Sequence, residues 1–286
     1  MYWDDVTTIR DRWNNAGMPD DGAYELVPLP EPLRLQVPGR VVSRGSIYAL
    51  VEAIAAELFE RSLDAVATHG DFHLGVSLTP VAEQVLRQLL LDHSTRALPW
   101  ERTHVWVTDD APPEGGVESP LEGFAEFLRD HAGVPFEQVR TPDPGAGASA
   151  HEQYAGRLAA HLRRQGDHRG FDFALMTVNG EGVVGIAEAD PPHAGLTHRA
   201  KRGDHEWTCV HRPVFKSTER VALVVPDPAA VSFVKSLAGD PSGKGIRHVS
   251  PASQDGLIWY VNADDGSDGT NARRRLRGIQ GHGDHS

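Results

Sequence analysis

The sequence predicts an α/β protein, a mostly parallel sheet flanked by helices on both faces. Three observations carry that expectation. Short apolar runs of strand length alternate with longer segments of helical periodicity. The run from Phe171 to Val178 is largely apolar, as a strand buried on both faces must be. Three runs end in chemistry-bearing residues, at Ser77 to Pro80, Asp109 to Pro113 and Asn179 to His193. Open α/β sheets place their sites at such carboxyl ends of strands.

Each element has a local reason. Residues 1–45 are rich in Pro, Gly and Asp and are expected to be an irregular extension. Ser46 is a helix N-cap, followed by Ile47, Leu50, Val51, Ile54, Ala55 and Leu58 at helical spacing. Phe72 to Val76 is a short buried strand. Pro80 suits the first turn of a helix, and Val81, Val85, Leu86, Leu89 and Leu90 form its apolar face. His104 to Thr108 is a strand, and Leu121, Phe124, Phe127 and Leu128 mark the next helix. The segment TPDPGAGASA at 141–150 breaks the pattern before a helix carrying Tyr154, Leu158 and Leu162. Trp207–Val210, Val221–Val225 and Leu257–Val261 are further strands, with a helix over Ala229–Leu237 between the last two. The expected domain is 46–264, and the polar tail 265–286, with Arg273, Arg274, Arg275 and Arg277, is expected to be disordered.

Composition narrows function. A net charge of -12 argues against a nucleic-acid partner, which needs a basic face. No apolar stretch approaches bilayer length and the N-terminus lacks a signal-peptide pattern, so no membrane partner is expected. The single cysteine, Cys209, excludes an internal disulfide and fits a cytoplasmic setting; on a strand it is a small buried hydrophobe. The 15 histidines are scattered, without HExxH spacing, so no metal site is expected.

The three strand ends carry a resemblance. The chain reads VSLTP from Val76, then WERTHVWVTDDAPP, then FDFALMTVNGEGVVG followed by DPPHAGL. In this order they resemble the S-G-G-S-T-P, D-E-R-x-V-P and G-x-G-x-D-G-H motifs of the 6-phosphogluconolactonase and glucosamine-6-phosphate isomerase superfamily. RPVFKSTERVALVVPDPAAVSFVKSLAG and PASQDGLIWYVNADD resemble its later segments, so the similarity spans roughly residues 45–265. The resemblance implies a 6-phosphogluconolactonase-like, Rossmann-like fold, no cofactor, and hydrolase or isomerase chemistry in carbohydrate metabolism.

The departures are concentrated at the site. The family's phosphate loop uses glycines to bring backbone N–H groups to an anion; here Val76 and Leu78 flank Ser77. The family's arginine falls at Ala111, and its later lysine near Ala229 or Ala230. The Asp-Gly-His motif aligns on Glu181, Gly182 and Val183, or on Val183, Val184 and Gly185; neither register keeps the histidine that serves lactonases as general base. Asp109 matches the aspartate that moves a proton in the isomerase branch, and Asp190 matches that branch's glutamate in one register. The candidate catalytic residues are therefore Asp109, Glu181, Asp190 and His193, with Glu188 on the same loop. Candidate substrate contacts are Ser77, Thr79, Asp110 and Arg202, the last in a basic run with Arg199 and Lys201.

Three functions follow. The first is a repurposed enzyme doing acid–base chemistry on a small polar or sugar-derived metabolite. The second is a non-catalytic pseudoenzyme that binds a metabolite or a partner protein. The third is a 6-phosphogluconolactonase with a rearranged site. Substrate identity and oligomeric state stay open at this level.

Overall fold

In chain order the elements are β1 (Arg40–Arg44), α1 (Ile47–His69), β2 (Phe72–Val76), α2 (Pro80–Leu91), β3 (Thr103–Val107), α3 (Leu121–Phe127), β4 (Val139–Arg140), α4 (Ala150–Leu162), β5 (Phe173–Thr177), β6 (Thr197–Arg202), β7 (His205–Val210), α5 (Arg212–Lys216), β8 (Arg220–Val225), α6 (Pro228–Ser236), α7 (Ile246–Val249) and β9 (Leu257–Asn262). The structure is a computed structural model and describes residues 35–110, 121–143, 149–162, 170–186, 195–202, 205–237 and 246–263. All of them lie in one compact unit, Leu33–Ser286.

Local chemistry starts and stops the helices. Ser46 Oγ accepts from Ala49 N at 3.2 Å and opens α1. Gly70 closes α1 at φ 97°, where a Cβ would be unfavourable. Thr79 caps α2, with Pro80 in its first turn. Asp227 Oδ1 accepts from Ala230 N at 2.9 Å and opens α6 in the same way.

Seven strands form one parallel sheet in the order β1-β9-β8-β5-β2-β3-β4. The period-2 alternation of each strand feeds two cores. Leu74, Val105, Leu175 and Val224 pack with α1 and α2 on one face. Trp106, Met176, Leu223 and Trp259 pack with α4, α5 and α6 on the other. Both faces of β2, β5 and most of β8 are buried, which accounts for their near-continuous apolar runs. The fold class expected from sequence is the one observed.

The topology marks a place for a site. From β2 the chain runs outward to β3 and β4, then returns to β5 on the other side of β2. Connections diverge between β2 and β5, and an open α/β sheet leaves its crevice at such a switch point.

Two elements differ from expectation. The expected irregular extension, 1–45, ends in β1, a sheet strand paired with β9 from Arg40↔Ile258 to Arg44↔Asn262. Its pattern is only partly buried, because it is an edge strand with one neighbour, so it carries little apolar signal. Trp207–Val210 lies outside the main sheet: β7 pairs antiparallel with β6, and β6 contains the basic run Arg199, Lys201, Arg202. A hairpin exposed on one face tolerates charge at alternate positions, which masks it as a strand. The tail 265–286 lies outside the described residues. Among the described residues no helix is long and apolar enough to cross a membrane.

Candidate functional site

The carboxyl ends of β2, β5 and β3 adjoin at the switch point. Ser77 continues the β2 ladder, its N–H donating to Leu175 O at 3.0 Å. Its side chain is buried, and its hydroxyl makes no hydrogen bond among the described residues. Thr79 is differently engaged. Its hydroxyl accepts from Ala82 N at 3.4 Å and lies 2.7 Å from the Thr177 hydroxyl, joining the ends of β2 and β5.

The segment after β5 folds back on its own strand. Asn179 Oδ1 accepts from Glu181 N and Gly182 N, both at 2.9 Å. Val184 N donates to Thr177 O at 2.8 Å, and Val178 bridges Val183. This turn sets Val183 into the core on the α4 face, only 6% exposed. It then brings Gly185, at φ 77°, against Asp109: a Cβ at Gly185 would lie 2.0 Å from the Asp109 Cγ. Trp207 Nε1 donates to Gly185 O at 3.1 Å and holds the turn there.

Asp109 is thus a buried carboxylate, 6% exposed, beneath the turn that follows β5, two strands away. Thr108 Oγ1 donates to its Oδ2 at 3.2 Å, and its backbone bridges Cys209 of β7. Asp110 faces the hairpin instead. Its carboxylate accepts from Thr208 N, and its own N–H donates to Thr208 O at 3.1 Å. Burial raises the Asp110 pKa, with the Thr208 N–H opposing that shift.

Ser77 and Thr79 therefore follow β2 and Asp109 follows the adjacent β3, and Glu181 sits exposed at the tip of the turn that covers Asp109. Asp190, His193 and Glu188 lie outside the described residues, as does the side chain of Arg202. Arg199 forms an ion pair with Glu206 across the hairpin, so this member of the basic run serves the hairpin surface. Cys209 is fully buried, as expected of a strand cysteine, with its Sγ 3.2 Å from His198 Nε2.

Two participants escaped the sequence reading. Thr177 is a polar residue at the end of an apolar run, a signal that it faces a ligand or a partner hydroxyl. Tyr154 reads as core from its helical spacing, yet its hydroxyl donates to Val107 O at 2.8 Å and Arg140 O at 3.1 Å. It ties the ends of β3 and β4 together just below Asp109. Burial raises the pKa of this phenol, so it stays a donor.

Comparison with known proteins bears on this arrangement. The family described as glucosamine-6-phosphate isomerases/6-phosphogluconolactonase matches residues 46–182. Residues 46–182 belong to that superfamily. The match runs through the Ser77 and Asp109 strand ends and stops one residue before Val183. Solved structures share the fold. The 6-phosphogluconolactonase of Thermotoga maritima superposes with a TM-score of 0.63 at 14% identity, covering 78% of this chain and 99% of its own. That of Plasmodium vivax gives 0.64 at 8% identity, covering 80% and 91%. A monomeric glucosamine-6-phosphate deaminase gives 0.59 at 15% identity, covering 80% and 99%. Among curated proteins no sequence matches the chain.

Proposed function

We propose that this chain is a divergent enzyme of the 6-phosphogluconolactonase/isomerase superfamily, acting by acid–base chemistry on a small polar or sugar-derived metabolite. One observation carries the reading. Asp109 is a buried carboxylate at the sheet's switch point, and Ser77 on the adjoining strand holds a buried hydroxyl with no partner. Buried polar groups are normally hydrogen-bonded, and perturbed or unsatisfied ones concentrate where a ligand completes them. Asp109 would take a proton from the substrate and return it. Ser77 would hold a substrate oxygen, and Thr79 with Thr177 would form the wall beside it. Glu181, Asp190, His193, Asp110 and Arg202 remain candidates around this centre.

The substrate is not expected to be an ordinary sugar phosphate. The glycines that bare backbone N–H groups are replaced around Ser77, and Leu78 packs against the core. Ala111 and Ala229 carry no charge where the family carries cations. This separates the reading from a rearranged lactonase. A non-catalytic binder is the second reading, and the observation favouring it is the tight cover of Gly185 and Val183 over the aspartate.

A thermal-shift screen of the full chain against polar metabolites tests these readings. The enzyme reading expects a stabilising ligand that Ser77→Ala weakens, turnover of that ligand, and loss of turnover by at least ~100-fold in Asp109→Asn, the scale of a general acid–base contribution. A ligand bound and never turned over overturns it in favour of the binder. Hydrolysis of fresh 6-phosphogluconolactone above the spontaneous rate would restore the lactonase.

A further inference from the structure

A second gathering of titratable side chains lies near the opposite, amino-terminal end of the sheet. His73 and His104 are register partners in neighbouring parallel strands, so both face the side covered by α4. The positions beside them, Phe72, Leu74 and Val105, serve the other core. His161 follows Tyr154 and Leu158 along the buried stripe of α4 and comes down on the same spot. The ring centroids of His73 and His104 are 4.7 Å apart, those of His73 and His161 4.1 Å, and those of His104 and His161 4.7 Å.

One nitrogen from each ring lies within 4.8 Å of the others. The closest approach, His161 Nε2 to a His73 ring nitrogen, is 2.9 Å. Nitrogens about 2.0–2.1 Å from a tetrahedral zinc stand about 3.3 Å apart, inside that span. His73 is 1% exposed, at a strand position where an apolar side chain would pack without desolvation cost. His104 Nδ1 is buried and has no hydrogen-bond partner among the described residues. Its Nε2 stands 4.0 Å from Asp71 Oδ1, beyond hydrogen-bond distance, and Nδ1 is the nitrogen that faces the other two rings' cluster without a bond of its own among the described residues.

We propose that His73, His104 and His161 form a three-imidazole site for a divalent transition metal of the zinc class, pinning α4 to β2 and β3. An all-nitrogen set suits zinc, nickel or copper and is poor for magnesium or calcium. Trp106 Nε1 donates to His73 Nδ1 at 3.2 Å; ligation through His73 displaces either that bond or the contact with His161. Arg140, stacked on Trp106 at 5.0 Å, works against a cation, and Asp71 beside His104 is already paired with Arg102 at 3.1 Å. The site is four residues of β2, about 13 Å of strand, from Ser77, and it does not depend on the reading of the strand-end mouth.

The test uses the full chain after chelation, titrated with Zn2+ alone and followed by metal content and thermal shift. The tail histidines His282 and His285 supply the control. One zinc per chain, kept in a His282→Ala/His285→Ala double variant and lost in both His161→Gln and His104→Gln, is the expected result. Co2+ in place of zinc should give tetrahedral visible bands that quench Trp106 emission alongside. His161 and His104 are partly exposed, so their variants are expected to fold, and circular dichroism checks that. No zinc at one equivalent, binding that survives both single variants, or binding lost with the tail pair overturns the proposal.

Discussion

At Gly185 the backbone sits at φ 77° with the Asp109 carboxylate filling the space a side chain would need. Gly185→Ala therefore meets two obstacles at once, a left-handed backbone and a carbon 2.0 Å away. The loss of stability is expected to be about 1–3 kcal/mol, read from urea unfolding midpoints. A loss below a few tenths would mean the turn does not cover Asp109. Asp110 makes a prediction of opposite character. Burial raises its folded pKa above the ordinary 3.8. The folded state then holds this proton more tightly than the unfolded chain. Its contribution to stability is fully present below the unfolded pKa and is lost as pH rises through the raised value. Relative to wild type, Asp110→Asn should gain in Tm in the window that opens at the ordinary 3.8 and closes at the raised value, and level off above it. A difference flat across that window would show that the carboxylate is not desolvated.

Among elements, the helix caps offer a graded comparison. Asp227 serves α6 by its cap alone, accepting from Ala230 N. Thr79 caps α2 and also joins Thr177 across the switch point. Asp227→Ala should cost about 1 kcal/mol. Thr79→Ala should cost more, by about 1 kcal/mol, because it also strands the buried Thr177 hydroxyl. Denaturation of the two variants side by side checks the order; equal losses would remove Thr79 as a link between strands. The helix starts at Ser46 and Pro80 were legible in sequence because they rest on local chemistry, a cap contact three residues on and a proline in the first turn. The β6–β7 hairpin was not, because its charged alternate positions make sense only once Arg199 meets Glu206 across the turn.

For the molecule as a whole, the sheet edge matters most. Five residues of β1 cover β9, and Trp259 Nε1 donates to Pro38 O at 2.7 Å. A chain beginning at Ser46 would bare the β9 edge, an unpaired ladder open to other chains. It should aggregate on light scattering at concentrations where a chain beginning at Leu33 stays dispersed; equal behaviour would make β1 dispensable. The apolar periods of Phe72–Val76 and Val221–Val225 were enough to predict a parallel α/β sheet, since both their faces had to be buried. Residue order likewise put Ser77 and Asp109 at strand ends. What the sequence determined by itself was thus the class of fold, a property of local pattern. Only the tertiary structure decided which groups meet. It set Gly185 on Asp109, turned Asp110 to Thr208, and stacked His73 and His104 beneath His161. Those meetings depend on sheet register and helix docking across dozens of residues, and spacing along the chain carries no record of them.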